Sequence, residues 1–211
     1  ALYFKSKVYM SIHTFISLSI FINYLTFKEK IIFLANSRFK KESHNTAHKI
    51  FIPYSKIKNS ITNTNQKKIQ LVYNFVKDNR ILKKEKTSLA KVKTTNFVFV
   101  GRLIKGKSII KIVNALAEYE NISLTIYGDG PERNKIERLS SFKKNKEKIK
   151  IIGFYDNSKL LDELNQFDVF IAYHKFYEFP KTIIEAIRSG LPIILNRQPS
   201  EELDEFKQLD I

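Results

Sequence analysis

Two glutamates in the C-terminal part of the sequence stand close enough to form a catalytic pair. Glu178 and Glu185 lie in the stretch HKFYEFPKTIIEAIRSGLPII, residues 174–194. Carboxylates of this kind accept hydrogen bonds from ligand hydroxyls and serve in acid–base chemistry. The pair is therefore either poised over a ligand, or part of an ordinary loop leading into an amphipathic helix that Gly190 closes.

A group of cations forms a second set of residues suited to chemistry. Arg102, Lys105 and Lys107 follow an apolar segment that ends at Gly101. Cations and oriented backbone amides together hold phosphate charge, so this group would suit a diphosphate. Its spacing is neither that of a Walker P-loop nor that of the GxGxxG dinucleotide fingerprint.

The composition excludes several other chemistries. The sequence has no cysteine, which removes disulfides, thiolate metal sites and cysteine nucleophiles. Its four histidines are scattered without partners at ligand spacing, so we expect no metal site and no cofactor. His44, His48 and His174 are more typical of surface residues than of site residues, and we assign them no function.

The net charge of +16 is distributed unevenly. Residues 1–95 carry +15, whereas residues 96–211 carry +1. A basic half of this kind is either a solvated lysine-rich face or a surface that attracts an anionic membrane, a nucleic acid or a phosphorylated substrate. No RRM, KH or helix-turn-helix pattern is present and aromatic residues do not interleave with the basic run, so we expect no nucleic-acid partner.

Strand and helix patterns alternate along the C-terminal half. Segments with apolar residues at helical spacing, such as Ile109, Val113 and Leu116, follow short apolar runs. ERNKIERLSSF reads as one helix. The strand candidates are NFVFVGRL, ISLTIYGDGP, KIKIIGFY, FDVFIAYH and GLPIILN. This alternation predicts an α/β fold with a parallel sheet, whose ligand site lies at the carboxyl ends of the strands.

The N-terminal half has a weaker pattern of the same kind. KVYMSI, KIIFLANS, KIFIPYS and KIQLVYN are strand candidates. The apolar stretch 8–25 is about as long as a membrane span, but His13, Asn23 and several hydroxyl residues favour a strand followed by a helix. The polar, basic segment 77–95 predicts a linker between a domain at 1–76 and a second at 96–211.

Five segments resemble, in order and spacing, the C-terminal domain of glycosyltransferase family 4, the group 1 transferases with the GT-B fold. They are FVGRLIKGKSIIKIVNAL, LTIYGDGPERNKIERL, IIGFY, DVFI and EFPKTIIEAIRSGLPII. FLANSRFKKESH and KIQLVYNFV resemble the end of the family's N-terminal domain. The resemblance implies two Rossmann-like domains with parallel sheets, of which the N-terminal one is only partly present, and a fragment truncated at both ends.

The resemblance also implies roles for particular residues. Arg102 and Lys107 would hold the donor diphosphate, and Gly101 would allow its close approach. The helix start at Pro180, Lys181 and Thr182 would turn backbone N–H groups towards the same phosphates. Glu185 would be the second glutamate of the family's E-x7-E motif and accept hydrogen bonds from the ribose hydroxyls.

The catalytic positions match less well. Tyr177 stands where the first glutamate of the motif is expected, and Glu178 is displaced by one residue. Either Glu178 takes the catalytic role through a rearranged loop, or the carboxylate role is lost and the Tyr177 hydroxyl binds the sugar instead. VYMSIH resembles a family strand that brings a histidine to the cleft, which makes His13 a third catalytic candidate.

The function that these resemblances imply is transfer of a sugar from a nucleotide sugar to an acceptor hydroxyl, with retention and without a metal. We expect a glycan or lipid-linked acceptor of cell-surface polysaccharide or lipopolysaccharide synthesis, and a cytoplasmic enzyme in peripheral contact with an anionic membrane. The fragment alone is expected to be inactive. A non-catalytic sugar-nucleotide-binding or scaffold subunit is the alternative.

Overall fold

The computed structural model describes residues 9–11, 47–55, 57–61, 65–73, 94–174 and 180–196. The chain divides into two compact units. One is built around Ala1–Asn74, and the other around Phe75–Lys175 and Pro180–Pro199. Nearly all of the predicted linker 77–95 falls outside the described residues, as do the strand expected at KIIFLANS and the helix expected after it.

The first unit contains a parallel sheet of β1 (Tyr9–Ser11), β2 (Lys49–Ile52) and β3 (Ile69–Leu71), in that order. A short helix, α1 (Ile57–Ser60), and a 3-10 turn at Gln66–Lys68 lie between β2 and β3. Alternate residues of β2 point inward, so Ile50 and Ile52 are buried while Lys49 is exposed. Three of the strands predicted in this half are therefore present.

The second unit contains five strands, which are β4 (Thr95–Val100), β5 (Ile122–Tyr127), β6 (Ile149–Gly153), β7 (Val169–Ala172) and β8 (Ile193–Leu195). Their order in the sheet is β6-β5-β4-β7-β8, and all pairings are parallel. The predicted α/β fold with parallel sheets is confirmed.

Helices connect these strands. They are α2 (Ile109–Leu116), α3 (Arg133–Arg138), α4 (Ser140–Lys144), α5 (Asn157–Leu164) and α6 (Lys181–Arg188). Phe97 and Phe99 of β4 pack in one core with Ile109 and Val113 of α2. The helical spacing read from the sequence is therefore the spacing of residues that face the sheet.

The segment predicted as one helix, ERNKIERLSSF, forms two. Leu139 adopts an extended conformation (φ −60°, ψ 139°) between α3 and α4. Ile136 and Phe142 are both buried in the core. Six residues apart on a continuous helix, they would project about 120° apart around the axis, and the break at Leu139 allows both to face the sheet.

A polar network at the amino edge fixes which strands are neighbours. The Asp168 carboxylate accepts hydrogen bonds from the Asn96 backbone N–H (2.9 Å) and side-chain amide (3.1 Å). The Ser123 hydroxyl donates to Asn96 Oδ1 at 2.7 Å. These contacts join the starts of β4, β5 and β7, so β4 is held between β5 and β7.

That strand order creates a topological switch point. From β4 the chain continues to β5 on one side, whereas β7 lies on the other side of β4. The connections that leave β4 and β7 therefore diverge, and a crevice opens at the carboxyl ends of these two strands. Ligands of open α/β sheets bind in such crevices.

Candidate functional site

The loop after β4 brings two of the predicted cations to the crevice edge. Arg102 follows Gly101 directly and is exposed, whereas Lys107 ends a 3-10 turn (Lys105–Lys107) and is only 8% exposed. Lys105, in the same turn, is exposed. Lys105 and Lys107 look equivalent in the sequence but differ in burial. Burial of an ammonium is costly unless a polar partner offsets it, so Lys107 requires such a partner.

His174 supplies a polar contact for Lys107. Its Nε2 atom lies 3.4 Å from Lys107 Nζ. Lys107 belongs to the loop after β4 and His174 to the loop after β7, so this contact joins both sides of the crevice. An ammonium has only donors, so Nε2 is the acceptor and the imidazole proton is on Nδ1.

The expectation that His174 lies at the surface is wrong, since it is only 6% exposed. Burial, and secondarily the charge of Lys107, lowers the pKa of His174 to about 3. Both effects disfavour the imidazolium, and the ring is neutral at physiological pH. His48, by contrast, is exposed as expected, and His44 lies outside the described residues.

Asn196 fixes the backbone of His174. The His174 N–H donates to Asn196 Oδ1 at 2.7 Å, and Asn196 Nδ2 donates to the His174 carbonyl at 3.0 Å. Asn196 directly follows β8, the strand beside β7. Sequence reasoning missed both residues, although each is the last residue of a predicted strand segment, which was the available signal.

Ser108, next to Lys107, has an unusual backbone conformation. It lies in the left-handed region (φ 46°, ψ 32°), where side chains other than glycine are strained, and it is buried. α2 begins at the following residue. Strain of this kind persists only where surrounding structure determines it and often accompanies a functional site.

Gly128 and Gly130 shape the loop after β5 around the loop after β4. Leu103 donates its N–H to the Asp129 carbonyl at 2.9 Å, and Glu132 donates to the Leu103 carbonyl at 2.9 Å. A Cβ atom on Gly128 would overlap the Gly101 carbonyl, and one on Gly130 would lie 2.7 Å from the Leu103 oxygen. Only glycine permits the two loops to approach this closely, and their contact supports the backbone around Arg102.

The helix after β7 contains the remaining described candidates. Pro180 is extended (φ −74°, ψ 152°) at the N-cap of α6, and Lys181 and Thr182 form its first turn. Pro180 has no N–H, so donors from this turn come from the residues after it. Glu185 lies one turn further on and is only 2% exposed, although its side chain is a carboxylate. The other buried residues of α6, Ile183 and Ala186, are apolar.

The catalytic candidates Glu178, Tyr177 and His13 lie outside the described residues. Gly101, Arg102 and Lys107 fall on the loop after β4, and Pro180, Lys181, Thr182 and Glu185 fall on α6 and its N-cap. Among the residues that the structure describes, no group of His, Cys, Asp or Glu could hold a metal ion.

The chain is similar in structure to part of glycosyltransferases with the GT-B fold. HepE of Anabaena, in a structure with UDP and glucose, superimposes with a TM-score of 0.70 at 16% identity, over 91% of this chain and 53% of that chain. The fold class is therefore GT-B, as predicted. The family described as "Glycosyl transferases group 1" matches residues 80–205. The chain belongs to that family.

Curated relatives cover smaller parts of the chain. The O-antigen biosynthesis glycosyltransferase WclY of Escherichia coli is 26% identical over 63% of this chain and 38% of its own length. The alpha-monoglucosyldiacylglycerol synthase of Acholeplasma laidlawii is 32% identical over 46% of this chain and 26% of its own length. The chain thus spans well under half of the length of these relatives.

Proposed function

We propose that the second unit is the donor-binding part of a glycosyltransferase that takes its sugar from a nucleoside diphosphate sugar. The observation that carries this proposal is the 3.4 Å contact at the switch point between Lys107, in the loop after β4, and His174, in the loop after β7. We propose that exposed Arg102 and the N-terminus of α6, the helix that follows β7, lie with buried Lys107 around one crevice.

The arrangement suits departure of a nucleoside diphosphate. Negative charge grows on the β-phosphate as the bond to the sugar breaks, and Arg102 and Lys107 stabilise that charge more in the transition state than in the ground state. Fixed cations of this kind replace a divalent metal, and we propose a metal-independent reaction with retention at the anomeric carbon. The backbone N–H groups of Lys181 and Thr182 add donors for the same phosphates, with Gly101 allowing close approach.

Glu185 is proposed to bind the ribose. Its carboxylate accepts hydrogen bonds, and it lies one turn after the start of α6, which is proposed to bind the phosphates. A ribose is joined directly to the diphosphate, so adjacent positions on one helix suit the two groups. The burial of Glu185 supports a fixed orientation.

The catalytic step is proposed to use Glu178 or Tyr177, with His13 towards the acceptor. A carboxylate at Glu178 could stabilise positive charge at the anomeric centre, whereas a tyrosine hydroxyl can bind a sugar hydroxyl but brings no charge. The leaving phosphate is proposed to help deprotonate the acceptor hydroxyl. Comparing sugar transfer by wild type, Tyr177→Glu and Glu178→Gln distinguishes these roles.

For the acceptor we propose a glycan or lipid-linked glycan of cell-surface polysaccharide or lipopolysaccharide. Two observations support it: the names of relatives such as the O-antigen transferase WclY, and the excess of basic residues in residues 1–95. We propose that this basic half places the enzyme against the anionic inner face of the cytoplasmic membrane. The described residues include no helix that is both long and apolar enough to span a membrane.

The decisive experiment presents the full-length protein with UDP-, GDP- and ADP-sugars. We expect one family of donors to raise the melting temperature, and the same donor to support sugar transfer to a glycolipid extract in the presence of EDTA. Absence of any shift with all three would contradict donor binding. Loss of transfer in EDTA would contradict the metal-independent reaction.

A non-catalytic donor-binding or scaffold subunit is the second candidate, because Tyr177 occupies the place of the expected acid. Such a subunit would show the thermal shift without transfer, and Tyr177→Glu would be needed to create turnover. Measurable transfer by the wild type contradicts this candidate.

A further inference from the structure

His174 is a buried titratable residue for which the proposed reaction has no role. It lies in the loop after β7, and its Nε2 atom is 3.4 Å from Nζ of Lys107 in the loop after β4. Buried histidines are common core residues, so burial alone assigns nothing. The distinguishing observation is the atom that it contacts, because Lys107 is the buried cation of the proposed diphosphate site.

The backbone of His174 is held from a third strand end. Asn196, after β8, binds both the N–H and the carbonyl of His174, at 2.7 and 3.0 Å. An amide side chain that matches both polar groups of one residue fixes the position of that residue's Cα and limits where its ring can lie. Asn196, His174 and Lys107 thus form a chain of contacts across β8, β7 and the loop after β4.

Lys107 needs such support because its side chain is flexible. It has four rotatable side-chain bonds, and the residue after it is held in a left-handed conformation at φ 46°. A flexible ammonium loses conformational entropy when it binds a phosphate. A neutral imidazole acceptor fixes its orientation beforehand without cancelling its charge, whereas a carboxylate at that place would neutralise the charge that the diphosphate requires.

We propose that His174 is a positioning residue that orients the Lys107 ammonium towards the donor diphosphate, with Asn196 holding His174 in place. This inference rests on the proposed donor site. In this proposal, specificity for the diphosphate depends on the contact of Asn196 with His174 and of His174 with Lys107. His174 itself has no direct contact with substrate.

These contacts predict that substitution of His174 changes the affinity for the diphosphate and leaves other ligand contacts unaffected. His174→Leu removes the acceptor at similar volume, and we expect it to weaken binding of UDP, GDP or ADP, whichever binds the wild type, by about tenfold. Affinity for the matching nucleoside monophosphate should change by less than about twofold, because that ligand lacks the β-phosphate. His174→Gln retains an acceptor oxygen and should recover part of the loss. Exposed His48→Leu is the matched control and should behave as wild type.

A double-mutant cycle separates positioning from general structural damage. In a Lys107→Met background, His174→Leu should cause no further loss of nucleoside diphosphate affinity, because its effect passes through Lys107. If His174→Leu does not fold, Asn196→Ala provides the same cycle with a smaller expected loss. Calorimetry gives the affinities, and thermal unfolding verifies that each variant is folded.

The outcomes are distinguishable. Wild type that binds none of the three diphosphates overturns the proposed function and this inference together. Wild type that binds one of them, with full affinity in His174→Leu or with additive losses in the Lys107→Met background, overturns the inference and leaves the donor site intact. Equal losses for diphosphate and monophosphate also overturn it.

Discussion

Arg102 and Lys107 represent two ways of presenting positive charge at one sheet edge. Lys107 is buried and contacts His174, while Arg102 is exposed at the end of β4. An exposed guanidinium remains hydrated until ligand arrives, and its planar fork then binds phosphate oxygens bidentately. The buried ammonium acts instead as an oriented point charge. Substitution of Arg102 and substitution at Lys107 are therefore expected to have different effects.

Arg102→Ala should weaken nucleoside diphosphate binding without affecting folding. Loss of charge-assisted hydrogen bonds corresponds to about tenfold to hundredfold in affinity. The free energy of unfolding should be unchanged within about 0.5 kcal/mol, since the side chain is exposed. Calorimetric titration and urea denaturation measure both quantities. Lys105→Ala, in the neighbouring 3-10 turn and also exposed, is the control; an equal loss in it would show that overall charge, not position, matters.

Glu185→Gln should separate ribose recognition from phosphate recognition. The amide keeps the volume but replaces one acceptor oxygen with a donor, so hydrogen bonds to ribose hydroxyls weaken. We expect about tenfold weaker binding of the nucleoside diphosphate and unchanged inhibition by inorganic pyrophosphate. Parallel competition titrations with both ligands measure this difference. Equal effects on both would place Glu185 away from the ribose.

His174 should also make stability depend on pH. The pKa of His174 is about 3 in the folded protein, below its ordinary value of 6.5, so the unfolded chain binds a proton that the folded chain does not. The charged group facing the ring among the described residues is Lys107. Stability from neutral His174 is therefore complete above pH 6.5 and is lost as pH falls from there towards about 3, at up to about 1.4 kcal/mol per pH unit.

Urea denaturation of wild type and His174→Leu between pH 7.5 and 4.5 measures this contribution. The wild type should lose more free energy of unfolding across the range, because other titrating groups are common to both proteins. His48→Leu should follow the wild type, since that side chain is exposed. Parallel slopes in wild type and His174→Leu would contradict the prediction.

At the scale of elements, the loop after β5 serves as support for the loop after β4. Hydrogen bonds between Leu103 and the Asp129–Glu132 segment join the two loops beyond the ends of their strands. Glycines allow their backbones to meet, as the Gly128 and Gly101 contact shows. Backbone contacts between the two loops thus fix their separation at the carboxyl edge of the sheet, while side chains such as Arg102 supply the positive charge there.

Gly128→Ala should be strongly destabilising. The added methyl group meets a backbone carbonyl that no rotamer change can move, and φ 153° disfavours a side chain there. We expect a loss of about 3 kcal/mol or more, with weakened nucleoside diphosphate binding because the Arg102 backbone shifts. Denaturation curves provide the measurement. Gly101 has a similar φ of 158°, but its added methyl group would lie 3.5 Å from the Phe99 ring, so Gly101→Ala should cost clearly less stability; equal losses would contradict the steric explanation.

At the scale of the whole molecule, charge and donor site are separated along the chain. Residues 1–95 carry +15, whereas residues 96–211, which contain the proposed donor site, carry +1. A polybasic surface gains about 1 kcal/mol per lysine or arginine near anionic lipid. We propose that this division attaches the enzyme to the membrane through one half and leaves the other for the nucleotide sugar.

Sedimentation with lipid vesicles tests this division of charge. We expect the full-length protein to bind vesicles containing phosphatidylglycerol at low salt and to be released as ionic strength rises, because screening shortens the range of the attraction. Neutral phosphatidylcholine vesicles are the control. Failure to bind anionic vesicles at low salt, or equal binding to both types, would contradict the proposal.

The sequence by itself determined the α/β fold, because apolar periodicity alternating between strand and helix spacing is a local property of the chain. It also predicted that Arg102 and Lys107 follow a strand and that Glu185 lies in a helix, since strand ends and helix starts are local too. The break at Leu139 was not predictable, as it arises from the need to bury Ile136 and Phe142 on the same sheet. Burial against distant elements overrides a continuous helical pattern.

Only the tertiary structure decided which strand ends meet. Lys107 and His174 are separated by 67 positions, and they come together because β4 and β7 pair while the chain passes through β5 and β6 between them. Sequence patterns indicate that each strand ends near a charged or polar residue, but strand order depends on contacts between remote segments. For that reason His174 and Asn196 emerged from the fold, and the distinction between buried Lys107 and exposed Lys105 did as well.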